Sequence, residues 1–294
     1  MNEYNTSSSW IILNEIEYQI KRKIESIGTP LSNWNININR GIITGLNEAF
    51  IISEEIKNEL IEKDPKSAEI IRPILRGRDI TRYEYTFSNL WIIVAKFGSH
   101  EYLENKYPAV YKHLVRYEDK LKQRGQCRYT SNNKTNIHKP YPGQHHWLEL
   151  DNNPSEDYLD DLNKQKIVWG NLCLDAQFAF VGEEYYISAP ATMIVPGNKY
   201  ILAVLNSIVG DWYIRQLGVT RNGGYFEYKP MFVEKLPVPI INSNEQEVFV
   251  SLVDKILTAR NAKKDTELME EELNKKIFSL YNFSEEEIQY LLKS

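Results

Sequence analysis

The sequence predicts a mixed α/β fold, with a mixed sheet flanked by helices over residues 1–242 and a helical segment over 243–294. Three observations carry this. Short β-branched and aromatic runs, such as Leu90–Ala95 (LWIIVA) and Thr192–Val195, alternate with stretches of helical periodicity. A strongly apolar stretch from Tyr200 to Leu217 suits a helix packed on a sheet. After Pro239 only helical spacing remains, in Val248, Leu252 and Ile256 and again in Leu268, Leu273 and Ile277.

The elements follow in order. Ser8 or Ser9 is placed to cap a helix whose apolar residues run from Ile12 to Ile27, with Gly28 ending it. Trp34–Ile38 alternates as a strand does, and Ala49–Ile52 reads as another. Between them lies a glycine-punctuated loop, Arg40 to Asn47. Ser53 caps the next helix. Pro108 suits the first turn of a helix with Val110, Leu114, Tyr117 and Leu121 on one face. Arg124 to Pro154 is rich in Asn, Pro, Gly, His and Tyr, which means a long loop, and long loops in compact proteins tend to be functional or disordered. Strands are expected at Ile167–Trp169, Phe178–Phe180, Tyr185–Ile187 and Thr192–Val195, and Ser284 with Glu287 forms a capping box near the end.

Composition narrows the classes. The 294 residues are 42% hydrophobic, enough for one large domain or two ordinary ones. No run of about eighteen apolar residues is present, so no membrane span is expected. The opening MNEYNTSSSW lacks the basic-then-apolar pattern of a secretory signal. Cys127 and Cys173 give no disulfide framework, which points to a reducing, cytoplasmic setting.

A net charge of −5 does not advertise a nucleic-acid binder, but the charge is unevenly placed. Lys112, Arg116, Lys120, Lys122, Arg124, Arg128, Lys134 and Lys139 fall in one stretch whose acids are Glu118 and Asp119. Only the charges that touch DNA release counterions, so a local basic surface suffices. The alternative is a solvated helix face. A second candidate is Gly218–Pro239, GVTRNGGYFEYKPMFVEKLPVP, where Arg221 and Asn222 precede two glycines. Arg and Asn read guanine and adenine edges, whereas most Asn-Gly-Gly turns simply join two strands. The aromatic residues of YFEY fit a strand with one buried face.

Complete catalytic motifs are missing. There is no glycine-rich turn placed to hold S-adenosylmethionine, and the one Asn-Pro, Asn153-Pro154, is followed by Ser155 instead of a second proline and an aromatic residue. Glu-x-Lys occurs at Glu55/Lys57, Glu104/Lys106 and Glu118/Lys120 without the upstream Pro-Asp of a metal-dependent nuclease. His138, His145 and His146, with Cys127 nearby, lack zinc-site spacing and read as loop histidines. Glu156, Asp157, Asp160 and Asp161 suit a helix start.

The order of GTPLSNWNININRGIITGLNEAFII (Gly28–Ile52), ILRGRDITRY (Ile74–Tyr83), YPAVYKHLVRYEDKLKQR (Tyr107–Arg124), KIVWGNLC, ATMIVP and the GVTRNGGY run resembles the TaqI-like specificity domain. That domain forms the C-terminal part of type IIG restriction-modification enzymes and related adenine-specific methyltransferases. Family members usually carry a WWEL-like segment where this chain has His145-His146-Trp147-Leu148-Glu149-Leu150. The resemblance implies a domain that reads double-stranded DNA beside a methyltransferase domain or subunit. S-adenosylmethionine, and Mg where a nuclease is present, would belong to the parent enzyme, with no cofactor, metal or catalytic residue in this chain. It also implies the recognition half of a larger enzyme, either an excised piece or the product of a split gene.

On this reading Lys112, Arg116, Lys120, Lys122, Arg124 and Lys139 meet phosphates. Arg128, Asn132, Asn133, Lys134, His145, Arg221 and Asn222 are the base-edge readers, and Arg40, Thr44 and Asn47 form a third loop. Arg76 and Arg78 either contact DNA or pair with a carboxylate such as Asp79. Two other readings stand beside it: an assembly module that binds a methyltransferase through residues 243–294, and a stand-alone metal-dependent nuclease.

Overall fold

The computed structural model describes residues 14–129, 141–152, 154–218 and 220–294. The fold is mixed α/β, with several small sheets and a helical C-terminal region. By their contacts the residues group into two units that interleave along the chain: 37–171 with 178–198, and 1–36 with 172–177 and 199–294.

The 37–198 unit holds two four-stranded sheets. The first is antiparallel throughout, in the order Phe178–Val181, Lys166–Trp169, Thr192–Val195, Asn37–Arg40. Its two middle strands are buried at every position, which is why they read as continuous apolar runs. Lys166 is the exception in residue type. Burial lowers its pKa to about 8, and its ammonium donates to the carbonyls of Gly182 (2.8 Å) and Tyr185 (3.1 Å).

The second sheet runs Tyr186–Ile187, Ile71–Leu75, Leu90–Ile93, Ile51–Ser53, with its first pair parallel. One apolar cluster draws on both sheets, through Ile74 and Ile92 and through Val168 and Met193, and takes in Val110 and Leu114 of the Pro108–Val115 helix.

Several elements differ locally from their expectation. The first helix is described from Glu15 and capped by Asn14, whose Oδ1 accepts from the Glu17 amide while the Glu17 carboxylate accepts from the Asn14 amide, each at 2.9 Å; Ser8 and Ser9, the expected caps, lie outside the described residues. The strand expected at Trp34–Ile38 begins three residues later and ends two later, at Asn37–Arg40. Asn47–Phe50 is a helical turn, and the strand expected from Ala49 begins at Ile51. The Pro108 helix is interrupted after Val115 and resumes at Glu118–Lys122. Asp79 is paired by Arg76 (Nη2 to Oδ1, 2.8 Å) and not by Arg78, which is exposed.

In the other unit the long apolar stretch divides into Lys199–Leu205 and Ile208–Leu217. Ser207 caps the second helix, accepting from the Gly210 amide at 3.0 Å. Tyr200 and Tyr281, both buried, donate their hydroxyls to the carbonyls of Pro239 (2.7 Å) and Pro237 (2.6 Å). The tail forms Ser243–Asn261, Glu267–Leu280 and Glu285–Leu291. Leu252, Ile256, Leu273 and Ile277 are buried as expected, whereas Val248 and Leu268 face solvent.

Candidate nucleic-acid interface

In the 37–198 unit the Arg40–Asn47 loop, the Glu118–Lys122 helix and residues 141–152 are tied together by one side chain. Arg124 Nε donates to Leu121 O (3.1 Å). Its Nη1 donates to Thr44 O (2.7 Å) and Asp151 Oδ1 (3.2 Å), and its Nη2 to Trp147 O (2.7 Å) and Glu149 O (2.8 Å). A guanidinium has five N–H donors, and five acceptors are present. Arg124 is buried, so the phosphate contact expected of it gives way to an internal one.

His145 is equally internal. Its Nε2 lies 2.8 Å from Asp151 Oδ1, its Nδ1 lies 2.9 Å from His146 O, and Cys127 Sγ is 3.7 Å away. Both ring nitrogens face acceptors, so the ring is held as imidazolium. Burial opposes this, but the Asp151 carboxylate, Cys127 and the His146 carbonyl raise its pKa to about 9. The base-reading role expected of His145 is replaced by support of the loop. Thr44 is also buried, its hydroxyl bonded to Asn47 Oδ1 at 2.6 Å and its carbonyl to Arg124.

Behind these, the fully buried Glu149 accepts from the Gly98 amide (2.7 Å), the His146 amide (3.0 Å) and His100 Nδ1 (2.6 Å). His146 stacks on His100 at 4.5 Å. Burial, then the neighbouring His100, lowers its pKa to about 3, so it is neutral. Gly45 has φ +69°, and a Cβ there would lie 2.5 Å from the Asp151 carboxyl, so only glycine fits.

This frame presents a different set of groups to solvent. Lys112 and Arg116 are exposed, four residues apart at the end of the Pro108–Val115 helix, and neither holds an ion pair among the described residues. They line a groove of about 300 Å³ with Glu59 and Lys63, which pair with each other on an ordinary Glu/Lys-rich helix. His113 Nε2, 3.0 Å from Ala49 O, fastens that helix to the Asn47–Phe50 turn. Lys120 pairs with Glu48 at 2.7 Å. Lys122 pairs with Glu118 and lies 5.8 and 5.7 Å from the Tyr129 and Trp147 ring centres. Arg128, at φ +55°, and Asn47 are exposed.

Arg40, at the end of its strand, borders a second cavity of about 320 Å³ with Asp151, Asn152 and Tyr158. Asn132, Asn133, Lys134 and Lys139 lie outside the described residues, as does His138.

The Arg221 loop belongs to the other unit. The Arg221 amide donates to Tyr225 O (2.7 Å), and Gly223 and Gly224 take φ +83° and +80°. The turn leads into Phe226–Glu227, a two-residue strand paired with Leu172–Cys173. Within YFEY, Tyr225 is exposed while Glu227 and Tyr228 are buried, so the core reading holds for Tyr228 and not for Tyr225. Arg221 Nε donates to Glu227 Oε1 at 2.6 Å, and Lys229 Nζ reaches Glu227 Oε2 at 2.9 Å. Arg215 lies 3.9 Å over the Phe226 ring and pairs with Asp211. Asn222 is exposed.

Residues 72–238, more than half of the chain, match the family model of the TaqI-like C-terminal specificity domain. The type II methyltransferase M.MjaIV of Methanocaldococcus jannaschii is 24% identical over 250 residues, covering 82% of this chain and 78% of that protein. The type IIL restriction-modification enzyme MmeI, solved in complex with DNA, superposes with a TM-score of 0.61 at 15% identity. That match covers 90% of this chain, which spans 36% of the MmeI chain. The type IIG restriction endonuclease BpuSI gives a TM-score of 0.46 at 13% identity, over 91% of this chain and 33% of its own. The chain belongs to the TaqI-like C-terminal specificity domain family.

Proposed function

We propose that this chain reads the sequence of double-stranded DNA as the specificity part of a type II restriction-modification or adenine-specific methyltransferase protein. In this reading it has no catalytic centre. A methyltransferase domain or subunit supplies S-adenosylmethionine chemistry, and a nuclease, where the system has one, brings Mg. Residues 1–242 carry recognition, and the helices of 243–294 hold the catalytic partner. The two cysteines, both buried and unbridged, suit a cytoplasmic setting.

The observation that carries the reading is the Lys112–Arg116 pair. In a chain of net charge −5, these two cations stand exposed and unpaired among the described residues, on a helix anchored to the Arg124 frame. Such groups position a duplex through its phosphates, and loops then read base edges. The test is the salt dependence of binding to a labelled random duplex. Replacing both residues by alanine should lower the slope of log affinity against log salt by about 2, since each phosphate contact contributes about 0.9. An unchanged slope would contradict the reading.

A further inference from the structure

Arg221 meets Glu227 from the side. Its Nε donates to Glu227 Oε1 at 2.6 Å and its Nη2 is ion-paired with the same oxygen, while Nη1 has no partner among the described residues. The Arg221 side chain is 55% exposed and that of Glu227 only 4%, so the carboxylate is a fixed interior anchor and the guanidinium projects from it. Lys229 holds the other carboxylate oxygen at 2.9 Å. Lys229 first, then Arg221, keep the Glu227 carboxyl below the usual carboxylate range, so it is ionised at neutral pH. The backbone is fixed as well, through the Arg221 amide on Tyr225 O at 2.7 Å.

A guanidinium held along its Nε–Nη2 side keeps the opposite fork, Nη1 with the outer Nη2 proton, facing outward. Two parallel donors at that spacing match the O6 and N7 acceptors of guanine in the major groove. Adenine offers one acceptor beside a donor there, so the same fork discriminates against it. A free, flexible arginine would pair as readily with any phosphate.

We propose that Arg221 reads one guanine of the target and that Glu227 is a positioning residue, clamping the guanidinium so that only its end-on fork reaches the base. This rests on the reading of the chain as a duplex-DNA binder.

The experiment selects bound sequences from a random duplex library with the full chain and with Arg221→Ala and Glu227→Gln. Affinity for random duplex and thermal unfolding are measured alongside. The wild-type chain should enrich a motif containing one guanine whose preference falls about 10- to 100-fold in Arg221→Ala, while other positions stay unchanged. Glu227→Gln keeps the side chain's shape and removes its charge. It should weaken the same guanine preference yet strengthen binding to random duplex, because the loop becomes more positive.

A merely structural Glu227 predicts that both affinities fall together, and that result overturns its positioning role. An enriched motif that Arg221→Ala leaves intact overturns the assignment to Arg221 while the DNA-reading function stands. Absence of duplex binding by the wild-type chain overturns both. Should Glu227→Gln fail to fold, the change Arg221→Ala, at an exposed side chain, still decides the base assignment.

Discussion

His145 Nε2 and Asp151 Oδ1 lie 2.8 Å apart, and the same oxygen accepts from Arg124 Nη1 at 3.2 Å. Two cations therefore share one carboxylate inside the protein. Anchoring a loop this way keeps its tip in place without a β-ladder. The cost is that Arg124 and His145, both of DNA-binding type, are withdrawn from the surface.

The first prediction concerns Arg124. Arg124→Met removes all five of its hydrogen bonds and leaves Asp151 with His145 alone. Removing one partner of a buried ion pair costs about 3–5 kcal/mol. Chemical denaturation should show a loss in that range. Under conditions where the variant is folded, the salt slope of DNA binding should be nearly unchanged, because Arg124 is buried.

The second is a pH profile of stability. The folded pKa of His145, about 9, lies above the ordinary value of about 6.5, so its contribution is complete below about pH 6.5 and fades as pH rises through 9. His146 runs the other way. With a folded pKa of about 3, its neutral ring stabilises the fold above about pH 6.5, and that contribution is lost as pH falls toward 3. Together they place a stability maximum near pH 6.5. His145→Gln should flatten the alkaline limb in denaturation midpoints measured from pH 6 to 9. An unchanged limb would show that His145 is not held as imidazolium.

Gly45 provides the third. Its φ of +69° disfavours any side chain, and a Cβ would lie 2.5 Å from the Asp151 carboxyl. Gly45→Ala should destabilise by about 1–3 kcal/mol through backbone strain, more if Asp151 is pushed off Arg124. Thermal unfolding measures it directly.

A fourth contrasts two lysines of one stretch. Lys112 is exposed and unpaired among the described residues, whereas Lys120 is bound to Glu48 at 2.7 Å. Lys112→Ala should lower the salt slope by about 0.9, and Lys120→Ala by less. Glu48→Gln, by releasing Lys120, should raise affinity for random duplex.

That contrast also shows what the sequence could express. Lys166–Trp169 and Thr192–Val195 were legible because burial on both faces demands a continuous apolar run, and Ser53 and Ser284 announced helix starts through local hydrogen bonds. Ile71–Leu75 was hidden by Pro73, a residue that argues against a central strand. The division at Ser207 was masked by the apolar residues on either side. Arg124 and Lys120 look alike in a basic stretch. What separates them is the convergence of Thr44, Trp147 and Glu149 carbonyls, which come from distant parts of the chain. Asp79 similarly chose Arg76 over Arg78 because the Gly77–Asp79 turn brings the carboxylate back onto the Arg76 amide at 2.8 Å.

The most direct test of the central claim is sequencing of the duplexes that the full chain retains from a random library at moderate salt. The account predicts enrichment of one short defined motif, with affinity that declines steeply as salt rises. A retained pool with the composition of the input, at a salt where duplex is still bound, would contradict it.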